Sequence, residues 1–97
     1  MSNRITEKQL EAVCDLLNRE LGRPMEPWSK TDDGYKANIG NFHISHAYGG
    51  VSLHEMVTDG GGVNDVFSQG HCPKRELFSR IHAMLDGIQM QKENSAA

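Results

Sequence analysis

The chain has no long apolar run and no surplus of positive charge. Neither a signal-peptide core nor a membrane-spanning segment is recognisable in it. Its 13 acidic residues outnumber its 10 basic residues, and the formal net charge is −3. Proteins that bind nucleic acid nonspecifically need a basic patch to attract the phosphates. We therefore expect a cytoplasmic protein that has no membrane partner and does not bind nucleic acid.

Cysteine is scarce. Cys14 and Cys72 are the only two cysteines, and they lack the CxxC spacing of redox or metal motifs. This usage predicts reduced thiols in a reducing compartment. A chain of 97 residues can bury a core without a disulfide or a structural metal. We therefore predict a single domain over residues 1–97 that needs no cofactor to fold.

The segment Tyr35 to Val57 predicts two successive β-hairpins. Gly40-Asn41 and Gly49-Gly50 are two-residue turn candidates whose residues tolerate positive φ. In the register that the first turn imposes, Ile39 faces Phe42. The three strands form an antiparallel meander.

Period-two alternation in this register separates the meander into two faces. One face is apolar apart from His46 and Glu55. The opposite face is polar and includes His43, Ser45 and His54. The apolar face carries Tyr35, Ala37, Ile39, Phe42, Ile44, Tyr48, Val51, Leu53 and Val57.

Two amphipathic helices are predicted on either side of the meander. Thr6 to Gln9 has the form of a capping box and precedes a stripe of apolar residues, and Pro73 suits the first position of a second helix. Gly87 is a candidate end for that helix, and the polar segment 89–97 is predicted to be disordered. The stripes comprise Leu10, Val13, Cys14, Leu17 and Leu21 in the first helix, and Leu77, Phe78, Ile81, Leu85 and Ile88 in the second.

These elements predict an α+β fold. Because only one face of the meander is apolar, the N-terminal and C-terminal helices should both pack on that face, forming a two-layer sandwich. Residues 63–67 are short enough to form either a fourth strand or an irregular return. The sheet therefore has three or four strands, with its histidine-bearing face open.

The predicted register makes His43 and His54 diagonal neighbours on the open face. Two imidazoles at this spacing can share a zinc ion, but a zinc site ordinarily needs three or four protein ligands. The same face of the meander offers no carboxylate or thiol. We therefore interpret the two residues as solvated histidines and assign no metal site, with His43 and His54 as the only weak candidates.

No catalytic constellation is recognisable, so we expect the protein not to be an enzyme. The strongest exception is Cys72, which lies between His71 and the cations Lys74 and Arg75, just before a helix. These neighbours would lower the pKa of a thiol. The alternative is that Cys72 packs at the start of the helix.

Two segments are candidates for binding an anion. The run Gly60-Gly61-Gly62 can form a backbone nest, although such a run also serves as a flexible turn. Lys74 and Arg75 oppose the dipole at a helix start, which suggests an acidic partner. Neither segment matches a phosphate-binding loop or a dinucleotide fingerprint.

Trp28 is the only tryptophan and lies in an irregular segment that contains two prolines. One interpretation is that it closes the edge of the core between helix and sheet. The other is that it is an exposed anchor for a protein partner.

Several segments taken together resemble a family of small bacteriophage and prophage proteins that has no assigned activity. The resemblance extends over about residues 4–85 and carries over no active-site residues, because none of its segments is a catalytic motif. It implies an accessory protein in a bacterial host cell, of the kind that binds a host component such as CRISPR or other defence machinery. The segments are Ile5–Leu10, Asn41–Ser45, Ala47–His54, Gly60–Val63 and Pro73–Leu77.

The leading hypothesis is a non-enzymatic binding protein that inhibits or modulates a host protein, with a homodimer through the open face or edge strand as one form. The second is a binder or sponge for a small nucleotide-like anion, held between the glycine run and the second helix. A metal- or thiol-dependent enzyme is third. The candidate binding residues are Lys74, Arg75, Gly60, Gly61, Gly62, His43, Ser45 and His54.

Overall fold

Two helices and five short strands make up the chain in this computed structural model, which describes residues 4–68 and 70–96. The strands form two antiparallel sheets, one of β1 and β2 and one in the order β3-β4-β5. The predicted α+β class is confirmed. Neither helix in the described part of the chain has the length and apolarity that crossing a bilayer requires. The elements are α1 (Glu7–Glu20), β1 (Trp28–Thr31), β2 (Gly34–Ala37), β3 (Phe42–Ala47), β4 (Gly50–Met56), β5 (Val63–Asp65) and α2 (Lys74–Ala96).

The predicted capping box starts α1. The amide of Gln9 donates to Thr6 Oγ1 at 3.1 Å, and Gln9 Oε1 accepts from the amide of Thr6 at 2.9 Å. Two amide groups that have no partner inside the helix are thereby satisfied.

Both helices cover the same face of the three-stranded sheet, as predicted from its single apolar face. The core between these layers contains residues from both helices, β3 and β4. Its buried members are Leu10, Val13, Cys14, Leu17, Phe42, Val51, Leu53, Leu77, Ile81 and Leu85.

The predicted pairing of Ile39 with Phe42 is wrong. Strand β2 pairs instead with β1, so that the residues after Pro27 form a hairpin rather than an irregular connection. The amide of Asn41 donates to the carbonyl of Asn38, and Gly40 has φ 96°, which is typical of the third position of a type II turn. Such turns splay the flanking strands, so the chain changes sheet here.

The β3–β4 hairpin turns at Tyr48-Gly49, one residue earlier than predicted. Ala47 pairs with Gly50, and Ile44 therefore faces Leu53. This register differs from the predicted one by two residues, which preserves the period-two alternation. The predicted alternation along β3 and β4 is kept, although the predicted pairs are wrong. Burial differs from the prediction at several positions. Four residues of the predicted apolar face are exposed, namely Tyr35, Ile39, Tyr48 and Val57, and two residues that alternate onto the opposite face are buried, namely Ser52 and Met56.

The segment that follows β4 completes the sheet. Residues 63–65 form β5, whereas Val66 and Phe67 lie in a turn. Of the two predicted alternatives for residues 63–67, the strand is therefore present, although it is shorter than this segment. Further on, Cys72 forms an isolated antiparallel bridge with Val51. A Cβ atom on Gly50 would lie 3.0 Å from the carbonyl oxygen of Cys72, so the glycine permits this close approach.

Helix α2 does not end at Gly87. It continues to Ala96, which corrects the prediction of a disordered segment for residues 89–96, while Ala97 lies outside the described residues. Lys92 Nζ donates to the carboxylate of Glu20 at 2.8 Å and to its carbonyl at 3.1 Å. The polar end of α2 is thereby linked to the end of α1.

Candidate functional site

Three histidines form a row on the face of the three-stranded sheet that the helices leave uncovered. His43 and His54 are a directly opposed pair of β3 and β4 rather than diagonal neighbours, and their ring centroids lie 5.9 Å apart. His71 approaches from the segment before α2, with its ring centroid 6.0 Å from that of His54. We call His43, His54 and His71 the histidine row.

Hydrogen bonds orient both ends of the row. His43 Nδ1 lies 3.2 Å from Oδ1 of the buried Asn41, whose amide nitrogen donates to the carbonyl of Pro24. His71 Nε2 lies 3.2 Å from Oγ of Ser45. The structure therefore brings together His43, Ser45 and His54, three of the predicted binding residues.

Burial shifts the pKa values of His43 and His54 in this row. It lowers the pKa of His43, and the neighbouring His54 lowers it further. Burial also lowers the pKa of His54, where the carboxylate of Asp65 opposes the effect and His71 adds to it. The rings are half-buried and stacked edge to face, which corrects the interpretation of His43 and His54 as solvated side chains.

The imidazoles of the histidine row offer hydrogen-bonding nitrogen atoms at one surface. Among residues 4–68 and 70–96, no group of three or more histidine, cysteine or acidic side chains is placed to hold a metal ion. The sequence did not single out His71 as a member of this surface. Its position depends on the bridge between Cys72 and Val51, for which the sequence contains no local signal.

The start of α2 lies beside the β3–β4 turn. Lys74 Nζ is 3.9 Å from Glu7 Oε1, and the other carboxylate oxygen of Glu7 is 2.9 Å from Nε2 of His46. His46 is therefore exposed, not a core residue as its predicted face suggested. Arg75 is exposed as well.

Cys72 does not have the environment of a reactive thiol. Its neighbours in sequence predict a lowered pKa, but burial raises the pKa of Cys72, and the hydrogen bond with Glu76 and the charge of Glu76 raise it further. Burial and Glu76, which lies one helical turn further along the chain, therefore outweigh the basic neighbours that predicted a lowered pKa.

The glycine run Gly60-Gly61-Gly62 and the start of α2 do not form one site. Gly62 bonds to Val57 just after the end of β4, whereas Cys72 bonds to Val51 near its beginning. Because β4 spans Gly50 to Met56, the two segments are about 20 Å apart at roughly 3.3 Å per residue. The structure thus does not bring these two groups of candidate residues together.

The β1–β2 hairpin presents two large aromatic side chains. Trp28 and Tyr35 lie diagonally on one face of it, because Trp28 pairs with Ala37 and Tyr35 pairs with Lys30. Trp28 is 44% exposed and Tyr35 is 71% exposed. They line a shallow cavity of about 430 Å³, and we call this pair the aromatic face.

Trp28 is held in place at the base of the hairpin. A Cβ atom on Gly61, which has φ 99°, would lie only 2.6 Å from the tip of the indole, so the ring rests on the backbone of that glycine. Trp28 therefore packs on one side and remains open on the other. Trp28 therefore does not close the edge of the core between helix and sheet, which was one of the two interpretations of the sequence; its role as an anchor for a partner stays a prediction.

No family model, curated protein or solved structure matches the chain.

Proposed function

We propose that the protein is a non-enzymatic binding domain that recognises another protein through the aromatic face formed by Trp28 and Tyr35. The exposure of these two rings on a projecting hairpin carries the proposal. Tryptophan and tyrosine dominate the binding energy of protein interfaces, because a rigid ring buries much apolar area at little cost in conformational entropy.

The contacts of Trp28 favour a preformed binding surface. Gly61 supports the indole from below, and Asn38 Nδ2 donates to the carbonyl of Glu26 at 2.9 Å at the base of the hairpin. A side chain held in its bound position loses less freedom on association. The open side of the indole is therefore available to a partner without rearrangement of the hairpin.

The identity of the partner is the second part of the proposal. The resemblance to bacteriophage accessory proteins supports a component of a bacterial host, such as a CRISPR or other defence protein, whose activity the domain inhibits or modulates. We propose this role for a chain that acts in the host cytoplasm.

The proposal is tested with three baits in bacterial lysate: the wild type, Trp28→Ala/Tyr35→Ala, and the control Met90→Ala. Met90 is 63% exposed on α2, away from the hairpin. The wild type and the control should capture the same protein, and the double variant should lose it. With the purified partner, calorimetry should show that the removal of each aromatic side chain weakens the free energy of binding by about 2 kcal/mol or more. Equal capture by all three baits would contradict the proposal.

A further inference from the structure

Strand β3 has an open edge on the side away from β4. The backbone groups of Val51 and Leu53 in β4 bond to the segment that follows β5, so they point away from β3. In an antiparallel ladder, the residues opposite these two direct their own N–H and C=O groups outward as well. These residues are His46 and Ile44, and we call their outward backbone groups the open edge.

A side-chain amide already occupies the neighbouring position on this edge. The amide of Phe42 donates to Asn18 Oδ1 at 2.8 Å, and Asn18 Nδ2 donates to the carbonyl of Phe42 at 2.9 Å. Asn18 thus pairs with β3 as the peptide group of another strand would. Within the described residues, Ile44 and His46 have no corresponding backbone partner on that side.

A groove of about 430 Å³ lies along this edge, between β3, α1 and the segment Met25–Pro27. Cys14, Phe42 and Ile44 contribute apolar surface to it. Its remaining walls include three carboxylates, from Glu11, Asp15 and Glu26. The groove therefore combines an unpaired strand edge with concentrated negative charge.

The acidic residues of α1 match the spacing of a strand. Glu7, Glu11 and Asp15 follow one another at intervals of four residues, and α1 runs antiparallel to β3, with Glu7 beside His46 and Asn18 beside Phe42. Four helical residues rise about 6 Å, and alternate residues of a strand are about 6.8 Å apart. Alternate side chains of a strand added to β3 would meet successive carboxylates.

Two carboxylates of the groove, those of Glu11 and Asp15, form no ion pair among the residues that the structure describes. Within the described residues, no basic side chain lies within 4.0 Å of a carboxylate oxygen of Glu11 or Asp15. Burial raises the pKa of Cys14 to about 12, and the charges of Asp15 and Glu11 contribute to the increase. The thiol thus lies in the negative potential of these carboxylates.

We propose that the open edge of β3 binds an extended, basic segment of a partner protein, which adds a strand to the sheet and places lysine or arginine side chains against Glu11 and Asp15. The edge from His43 to Ala47 accommodates about five residues, or roughly 17 Å of extended chain. A second copy of this chain is a poorer occupant, because it would bring a second line of carboxylates into the groove. The site is separate from the aromatic face.

Selection from a random library of displayed peptides, about ten residues long, tests the proposal. Immobilised wild-type protein should enrich peptides that carry lysine or arginine at alternate positions between β-branched or aromatic residues. Enrichment of acidic or helical peptides, or no enrichment, would overturn the proposal. The aromatic-face variant Trp28→Ala/Tyr35→Ala should enrich the same basic peptides, which separates this site from the proposed function.

Two charge-reversed variants test the placement of the peptide. Glu11→Lys/Asp15→Lys should bind a selected peptide about tenfold more weakly, since attraction is replaced by repulsion. The control Asp32→Lys/Asp33→Lys makes the same change of charge in the exposed β1–β2 turn and should bind as the wild type does. If both variants bound the peptide equally weakly, the effect would come from the net charge of the protein, and the placement of the peptide beside Glu11 and Asp15 would be overturned. Circular dichroism verifies that both variants fold.

Backbone pairing is tested by hydrogen exchange. The bound peptide should slow exchange of the Ile44 and His46 amides, and a peptide N-methylated on the edge that faces β3 should not bind. Sedimentation of the free protein provides the remaining test. A dimer that already protects these two amides would assign the edge to a second copy and overturn the proposal.

Discussion

His43 and His54 connect the stability of the protein to pH. Burial lowers the pKa of both in the folded state, from a reference value of 6.5. As the pH falls through this value, the unfolded chain takes up protons before the folded chain does. The stability associated with the neutral rings is therefore present above about pH 6.5 and is lost progressively at lower pH.

We predict that the free energy of unfolding decreases between about pH 7.5 and about pH 5.5, and that the decrease is smaller in His43→Gln/His54→Gln. Urea denaturation at several pH values measures both. The control His82→Gln removes an exposed histidine of α2 that stacks on Phe78 outside the histidine row, and it should retain the dependence of the wild type. A double variant with an unchanged pH dependence would refute the prediction.

Among the elements, the β3–β4 turn carries an avoidable conformational cost. Tyr48 has φ 53° and is fully exposed, and Gly49 follows with φ 75°, so both central residues of the turn have positive φ. This is the geometry of a type I′ turn, for which Asn-Gly is strongly preferred. The left-handed conformation costs a tyrosine about 1 kcal/mol or more.

Tyr48→Asn should therefore stabilise the protein, by about 0.5–1 kcal/mol after the loss of the contact between Tyr48 and His71. The comparison is Tyr35→Asn, which makes the same substitution in β2 and should stabilise nothing, because asparagine is disfavoured in strands. The denaturant midpoints of the wild type and of the two variants measure these changes in stability. A destabilised Tyr48→Asn would show that residue 48 lies in a strand, as the predicted register has it.

Arg23 connects the segment after α1 to the start of β3 and to β4. Its Nη1 donates to the carbonyl of Gly40 at 3.1 Å and to Glu55 Oε2 at 2.9 Å, and its guanidinium lies 5.1 Å from the centre of the Phe42 ring. Glu55, which is out of place on the predicted apolar face, is thus paired with a residue of the segment after α1. The charged pair lies at the rim of the sheet rather than in the core.

At the scale of the whole molecule, the β1–β2 hairpin and the two-layer body differ in how they are held. The hairpin has only four residues in each strand and is attached through Trp28 on Gly61 and through the amide of Ala37, which donates to the carbonyl of Asp59 at 3.2 Å. A two-stranded hairpin of this size is marginally stable alone. The body contains the buried core instead.

We predict that the hairpin opens without global unfolding. Amides of β1 and β2 should exchange through local opening, whereas the amide of Leu53 should require unfolding of the body. Trp28→Ala should accelerate exchange in the hairpin while lowering the global free energy of unfolding by about 1 kcal/mol or less, since the indole is half exposed. Hydrogen exchange at increasing denaturant measures both values, and equal opening energies for hairpin and body would contradict the prediction.

Local patterns were sufficient for part of the fold. The capping box at Thr6, the apolar stripes of the helices and the two faces of β3 and β4 all follow from short-range spacing, and the structure confirms them. The partner of β2 did not follow, because Asp32-Asp33 and Gly40-Asn41 are both plausible two-residue turns. The φ angle of Gly40 and the pairing of β2 with β1 show that the chain changes sheet at the second of these turns.

The sequence by itself determined which face each helix buries and how the side chains of β3 and β4 alternate, because periodicity in apolar residues has the same meaning wherever the element is placed. The tertiary structure alone decided which elements meet. It brought His71 to His54, left the edge of β3 open beside Glu11 and Asp15, and kept Gly60 and Lys74 apart. These outcomes depend on packing and hydrogen bonds between distant segments, which no local pattern encodes.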